Sequence, residues 1–191
     1  MIPRATSILI VAVIVLVLAY TLLGQKTRVK SSVDGKHYKV LQDTEEMMLE
    51  TSNALAEIHN RVTKLVTYMQ SHGASKRLAD LLESKYSDDV ISEAVVQSGY
   101  TSYTVNKKNI HVCIRSRDEH QKVYDINTLM YVVLHELSHL IAEQTGHTDE
   151  FRLIFKHLVD RAMESGVYEY VDYSKNNLHY CGMVLTTNIA G

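Results

Sequence analysis

His135, Glu136 and His139 stand in the order His-Glu-Leu-Ser-His, with two histidines four residues apart. On a helix such residues lie one turn apart on the same side, so both imidazoles can reach a single metal ion at about 2.0–2.1 Å. Glu136 projects beside them. It is placed to take a proton from a water that the metal has acidified and to hand it to a departing amine. The metal implied by this donor set is zinc (Zn2+), which at a catalytic site needs a third protein ligand and one open position. His147 is the candidate third ligand, because Thr145-Gly146 ends the motif helix, the glycine lets the chain reverse, and a new helix starts directly afterwards. Asp149, Glu150 and Glu164 are the alternatives. Glu143, one turn beyond His139, is a candidate to orient a ligand imidazole. His111, His157 and His179 are isolated and weak as ligands. Tyr168, Tyr170, Tyr173 and Tyr180 read as packing residues with hydroxyls at the surface, one of them a candidate donor to an oxyanion.

Several elements must position these groups. Leu129, Val133, Leu137, Leu140 and Ile141 form one apolar stripe on the motif helix, which Asp125 or Asn127 can cap. Phe151, Ile154, Phe155, Leu158 and Val159 predict the helix that follows. Upstream, Tyr103 and Val105 alternate with polar neighbours, residues 106–109 read as a turn, and Ile110, Val112 and Ile114 alternate with His111, Cys113 and Arg115. That is a β-hairpin, and its 110–115 strand is the candidate to hold an extended chain by added-strand pairing. Residues 43–70 predict a long amphipathic helix, with Met48, Leu55, Ile58, Val62, Leu65 and Met69 at three- and four-residue steps. Such a seam either packs on its own domain or supports self-association. A second helix is predicted over Lys76 to Tyr86, and residues 87–98 are ambiguous between helix and loop.

Residues 5–24 (ATSILIVAVIVLVLAYTLLG) carry no charge. About 20 such residues span a hydrocarbon core, and no small-residue cleavage pattern follows. The expectation is an uncleaved transmembrane anchor over residues 1–24, a juxtamembrane linker over 25–42, an amphipathic helix over 43–74 and a catalytic domain over 75–191. Lys26, Arg28 and Lys30 outweigh Arg4, so the positive-inside rule predicts a single-pass protein with a cytoplasmic C-terminal domain. The chain has 191 residues and a formal net charge of -2, which argues against nucleic acid as a partner while leaving room for a local basic patch. Its two cysteines, Cys113 and Cys181, show no metal-ligand or framework spacing and are expected to be reduced.

HELSH, the Gly146-His147 pair and Phe151 four residues on resemble the WLM and SprT-like minimal zincins. The lead-in YDINTLMYVVLHELSH and the continuation LVDRAMESGVYEYVDYSKNNLHYCGM are most similar to the WLM-type metallopeptidases of large DNA viruses. The resemblance covers roughly residues 76–185. It implies an α+β fold: a compact zincin-like domain with an HExxH helix and a small sheet, here preceded by the N-terminal apolar run. It also implies His135, His139 and His147 as zinc ligands, Glu136 as the base, and hydrolysis of peptide bonds in protein substrates. Cellular members act on proteins crosslinked to DNA; this chain has no evident basic extension of that kind. The expected function is therefore a membrane-anchored zinc metalloendopeptidase, facing a viral or host internal membrane. The alternative is a structural or virion-assembly protein that keeps the zinc-binding fold and uses the 43–70 helix for contacts.

Overall fold

Chain order runs from a hairpin of β1 (Lys26–Lys30) and β2 (His37–Leu41) through α1 (Glu45–Ser71), a 3-10 turn (Gly73–Ser75), α2 (Lys76–Lys85), β3 (Ile91–Glu93), β4 (Tyr103–Val105) and β5 (Asn109–Val112). It continues to α3 (Ile126–Ile141), α4 (Asp149–Glu164) and a second hairpin of β6 (Leu178–Tyr180) and β7 (Met183–Leu185). The structure is a computed structural model that describes residues 6, 10–14, 25–95, 101–175 and 177–186. The architecture is α+β, with small sheets set against a helical layer.

α1 starts where Thr44 Oγ1 accepts the Met47 amide at 3.3 Å, with Glu45 and Glu46 in the first turn to complement the helix dipole. Leu55, Ile58, Val62, Leu65 and Met69 are each at most 1% exposed, packed within the chain itself. Burial of such a side chain contributes about 1.5–3 kcal/mol. The seam that could have paired two copies is thus used internally, against the first hairpin, α2 and α3.

α3 is the central helix. Asp125 caps it by accepting the amides of Asn127 and Thr128, both at 3.0 Å. It is buried on nearly all sides, so its few polar side chains are conspicuous: Ser138 Oγ donates back to Leu134 O at 2.7 Å, and Glu136 is only 4% exposed.

The three-stranded sheet has the order β3-β5-β4, with β3 parallel and β4 antiparallel to β5. Ile110, Val112 and Ile114 point into the core, as their alternation implies. Residues 91–93 of the ambiguous stretch form β3, whereas residues 96–98 lie outside the described residues. β5 is flanked on both sides. The strand expected to accept an added chain therefore has no free edge, and the outer strand beside the motif helix is β4.

Three further expectations are corrected. Among the described residues no helix is long and apolar enough to cross a membrane, which overturns the transmembrane anchor and, with it, the single-pass localisation and cytoplasmic orientation. Within residues 5–24 only residues 6 and 10–14 are described, as helix, and the rest of that segment lies outside the described residues. Apolar composition meets only the transfer requirement; a span also needs one unbroken helix of about 20 residues to satisfy every backbone group. Second, residues 25–42 are no linker. β1 and β2 pair antiparallel from Lys26↔Leu41 to Lys30↔His37, Tyr38 and Val40 join the core, and Ser52 Oγ ties α1 to Val29 O at 3.0 Å. Arg28 and Lys30 are exposed on one face of β1, while the Lys26 ammonium is half-buried against Ser92 and His111. Third, Cys113 and Cys181 are joined in a disulfide across 68 residues of sequence. The fold brings the chain after β5 against the β6–β7 turn, a contact too distant in sequence to leave a spacing signal.

An ion network, with Arg115 and Glu93 buried and Asp43 exposed, ties the end of the first hairpin and the entry to α1 to the sheet. Arg115 Nε donates to Glu93 Oε1 and its Nη1 to Asp43 Oδ2, both at 2.6 Å, while Glu93 Oε2 accepts the Leu41 amide at 2.6 Å.

Candidate metal centre

The last two turns of α3 present His135 and His139 on one side. The chain leaves the helix at Ile141, crosses residues 142–148, and enters α4, whose cap Thr148 accepts the Phe151 amide at 3.3 Å. That return carries His147 to the other two. The three Nε2 atoms form a near-equilateral triangle: 3.2 Å for His135–His139, 3.3 Å for His139–His147 and 3.0 Å for His135–His147. Ligand atoms at 2.0–2.1 Å around a tetrahedral ion are about 3.3 Å apart, so the donor set fits such an ion with little movement. It is the one group of three or more potential ligands found among the described residues.

The protonation states agree with that fit. Burial, reinforced by His139 and His147, pushes His135 down to about 3. Burial together with His147 and Lys107 pushes His139 down to about 4. Both imidazoles are neutral at physiological pH, the form that ligates a metal. Three rings directing their Nε2 atoms at one point are satisfied together by a single cation.

α4 holds the rings. Phe151 stacks on His139 at 4.2 Å between centroids and meets His135 and His147 edge-on at 4.9 Å. Phe155 meets His135 edge-on at 5.2 Å. Phe151, part of the sequence signature, thus forms one apolar wall for all three histidines.

Glu136 lies beside the triangle. Thr104 Oγ1, on the outer strand β4, donates to Glu136 Oε2 at 2.8 Å and also lies 3.2 Å from its backbone carbonyl. Burial raises the Glu136 carboxyl to about 7, with the Thr104 hydrogen bond opposing the rise. The histidines and Glu136 floor a cleft of about 450 Å3. One wall is Ser102, Tyr103, Thr104, Asn106 and Lys107, and the other is the segment from Gln144 to His147.

The other candidates lie elsewhere. Asp149 is exposed and pairs with Arg152 at 3.0 Å. Glu150 accepts the amides of Glu143 and Gln144, and Glu164 bonds Arg161 and Tyr68. Glu143 is exposed and does not line the cleft. His111 bonds Ser92 and Lys26, His157 bonds Ser75, and His179 is exposed. Tyr168, Tyr173 and Tyr180 are buried rather than superficial; Tyr180 OH donates to Cys113 O at 2.7 Å, and Tyr170 is exposed. None of the four lines the cleft, whereas Tyr103 does. Thr104 and Lys107 were not singled out from sequence. Their alternation and turn are visible, but the partners they touch lie 32 to 37 residues further on.

No family model matches the chain, and no solved structure matches it. It is 31% identical over 193 aligned positions to uncharacterized protein R325 of Acanthamoeba polyphaga mimivirus, covering 95% of this chain and 94% of that protein. It is also 31% identical over 146 positions to uncharacterized protein 136R of Invertebrate iridescent virus 6, covering 75% of this chain and 82% of that protein. A shorter match, 50% over 68 positions, is to uncharacterized protein 042R of Invertebrate iridescent virus 3, covering 36% of this chain and 42% of that protein. A triad of histidines able to hold a metal ion is thus set in a chain that belongs to the family of viral proteins including R325 of mimivirus and 136R of Invertebrate iridescent virus 6.

Proposed function

We propose that this protein is a zinc-dependent endopeptidase of the minimal zincin type. The observation that carries the reading is the convergence of three Nε2 atoms within 3.0–3.3 Å beside a buried carboxylate, at the foot of an outer strand. His135, His139 and His147 hold the metal. A bound zinc ion supplies Lewis acidity, polarising a peptide carbonyl and lowering the pKa of water toward about 7.

The remaining work falls to the protein. Glu136 accepts the proton of the attacking water and returns it to the leaving amine. A general base is of no use to a purely structural zinc site, so its presence supports hydrolysis. Thr104 fixes the carboxylate by occupying Oε2, which leaves Oε1 for the proton. Among the described residues β4 pairs in a sheet with β5 alone, so as the outer strand it is the candidate to hold an extended peptide across the cleft by main-chain hydrogen bonds.

Metal content and casein cleavage of the full chain test this, comparing wild type with Glu136→Gln and His147→Ala. The reading requires one zinc in wild type and Glu136→Gln, cleavage by wild type alone, and much weaker zinc binding in His147→Ala, which keeps two of the three ligands. Wild-type protein that takes up no zinc would overturn it. Zinc held without cleavage of casein or of a random peptide library would replace the peptidase by a structural zinc site.

A further inference from the structure

We infer that Lys107 and Glu150 act as a two-sided clamp on the loop that delivers His147, and so set the metal affinity from outside the ligand set. The inference rests on reading the three histidines as a metal site.

His135 and His139 are positioned by the α3 backbone. His147 has no such support: it sits on an irregular segment between two helices, just after Gly146, whose φ of +85° marks the reversal. A chain in that state has many conformations, and only those with His147 over the other two rings bind metal tightly. Apparent affinity falls in proportion to the fraction of molecules in the competent conformation.

Two side chains of opposite charge hold the segment, each bonding one kind of backbone group. Lys107 Nζ donates to three successive carbonyls: Ala142, Glu143 at 2.6 Å and Gln144 at 3.3 Å. Glu150 accepts two successive amides, Glu143 N at 2.9 Å and Gln144 N at 3.1 Å. The ammonium thus sits just past the C-terminal end of α3, on the cap residue Ala142 and the two carbonyls after it, where a cation is favoured. The carboxylate comes back from the first turn of α4.

Lys107 reaches that position because the β4–β5 turn is built for it. Asn106 and Lys107 both have φ of +51°, a left-handed conformation that costs a residue with a side chain and persists where other contacts impose it. Here the Lys107 ammonium bonds to a loop 35 to 37 residues away in sequence. Lys108 beside it is exposed and serves as a control. Because β4 also carries Thr104, one hairpin positions both the base and the third ligand.

The experiment measures zinc affinity of the full chain by competition with a chromophoric chelator, together with the visible absorption of the Co2+-loaded protein. The clamp predicts zinc binding about 10–100-fold weaker in Lys107→Met and in Glu150→Ala, with Lys108→Met unchanged. It predicts that the Co2+ bands of Lys107→Met shift toward those of His147→Ala. It also predicts that adding Lys107→Met to His147→Ala weakens binding much less than it does in wild type, because the clamp acts through His147 while the Lys107 charge near His139 stays a separate, smaller effect. Wild-type affinity in both Lys107→Met and Glu150→Ala would overturn the clamp alone. So would equal weakening by Lys107→Met in the His147→Ala background, which marks a general effect on folding. Wild-type protein without zinc would overturn the metal-site reading and the clamp with it.

Discussion

Breaking the Cys113–Cys181 bridge should cost this protein a large share of its stability. The bond closes a loop with a sequence separation of 68 residues. In the chain-entropy model a loop of that length removes about 15 cal/mol/K from the unfolded ensemble, or about 4 kcal/mol at 25 °C. Domains of this size are stable by only about 5–15 kcal/mol, and each kcal/mol moves Tm by about 2–4 °C. Reduction should therefore lower Tm by about 10–15 °C. The loss should be felt first in the C-terminal hairpin. Cys181 anchors it, and Tyr180 contributes a 2.7 Å bond to Cys113 O and a 3.0 Å contact with Ser102 of the cleft wall. Calorimetry of oxidised and fully reduced full-length chain, with free thiols counted, measures the entropic part while leaving both sulfur atoms in place. The Cys113→Ala, Cys181→Ala double variant should behave like the reduced protein. A Tm shift below about 3 °C with both thiols free would refute the reasoning, because the reduced unfolded chain would then gain little of the freedom the model assigns it.

Three other outcomes follow from the same geometry. Zinc at about 100 times its Kd should stabilise the folded chain by about 2.7 kcal/mol, raising Tm by about 5–11 °C; no difference between zinc and chelator in calorimetry would count against the site. Phe151→Ala should destabilise the fold by about 3–5 kcal/mol in urea titrations and weaken zinc binding as well, since Phe151 packs on all three histidines. Asp43→Asn tests the ion network: burial alone would raise the Asp43 carboxyl, but the Thr44 amide and Arg115 outweigh it and hold it below the usual carboxylate range. A depressed carboxyl stabilises the fold above its unfolded value near pH 4 and loses that contribution as pH falls through the folded value. The variant should be about 1 kcal/mol less stable at pH 7 and equal to wild type at acid pH, and a pH-independent gap in urea titrations would contradict the assignment.

The parts of the site that were legible in the sequence are those set by local periodicity. A four-residue step makes His135 and His139 neighbours on any helix, the apolar stripe makes that helix, and Gly146 allows the reversal that brings His147 back. The three-and-four spacing from Leu55 to Met69 likewise announces α1. Hydropathy misled where it stood alone. The basic run at Lys26, Arg28 and Lys30 reads like the flank of a membrane span, and only pairing with His37–Leu41 reveals it as one face of a strand. The features that complete the site have no local signature. Thr104 meets Glu136 across 32 residues, Lys107 reaches the 142–144 carbonyls across at least 35, and Cys113 finds Cys181 across 68. Helical geometry fixes neighbours within a turn or two, so the sequence by itself determined the histidine pair and the glutamate beside it. Contacts between distant segments depend on how whole elements pack, so only the tertiary structure decided which side chain bonds that glutamate, which charges contact the loop before His147, and which strand lies outermost among the described residues.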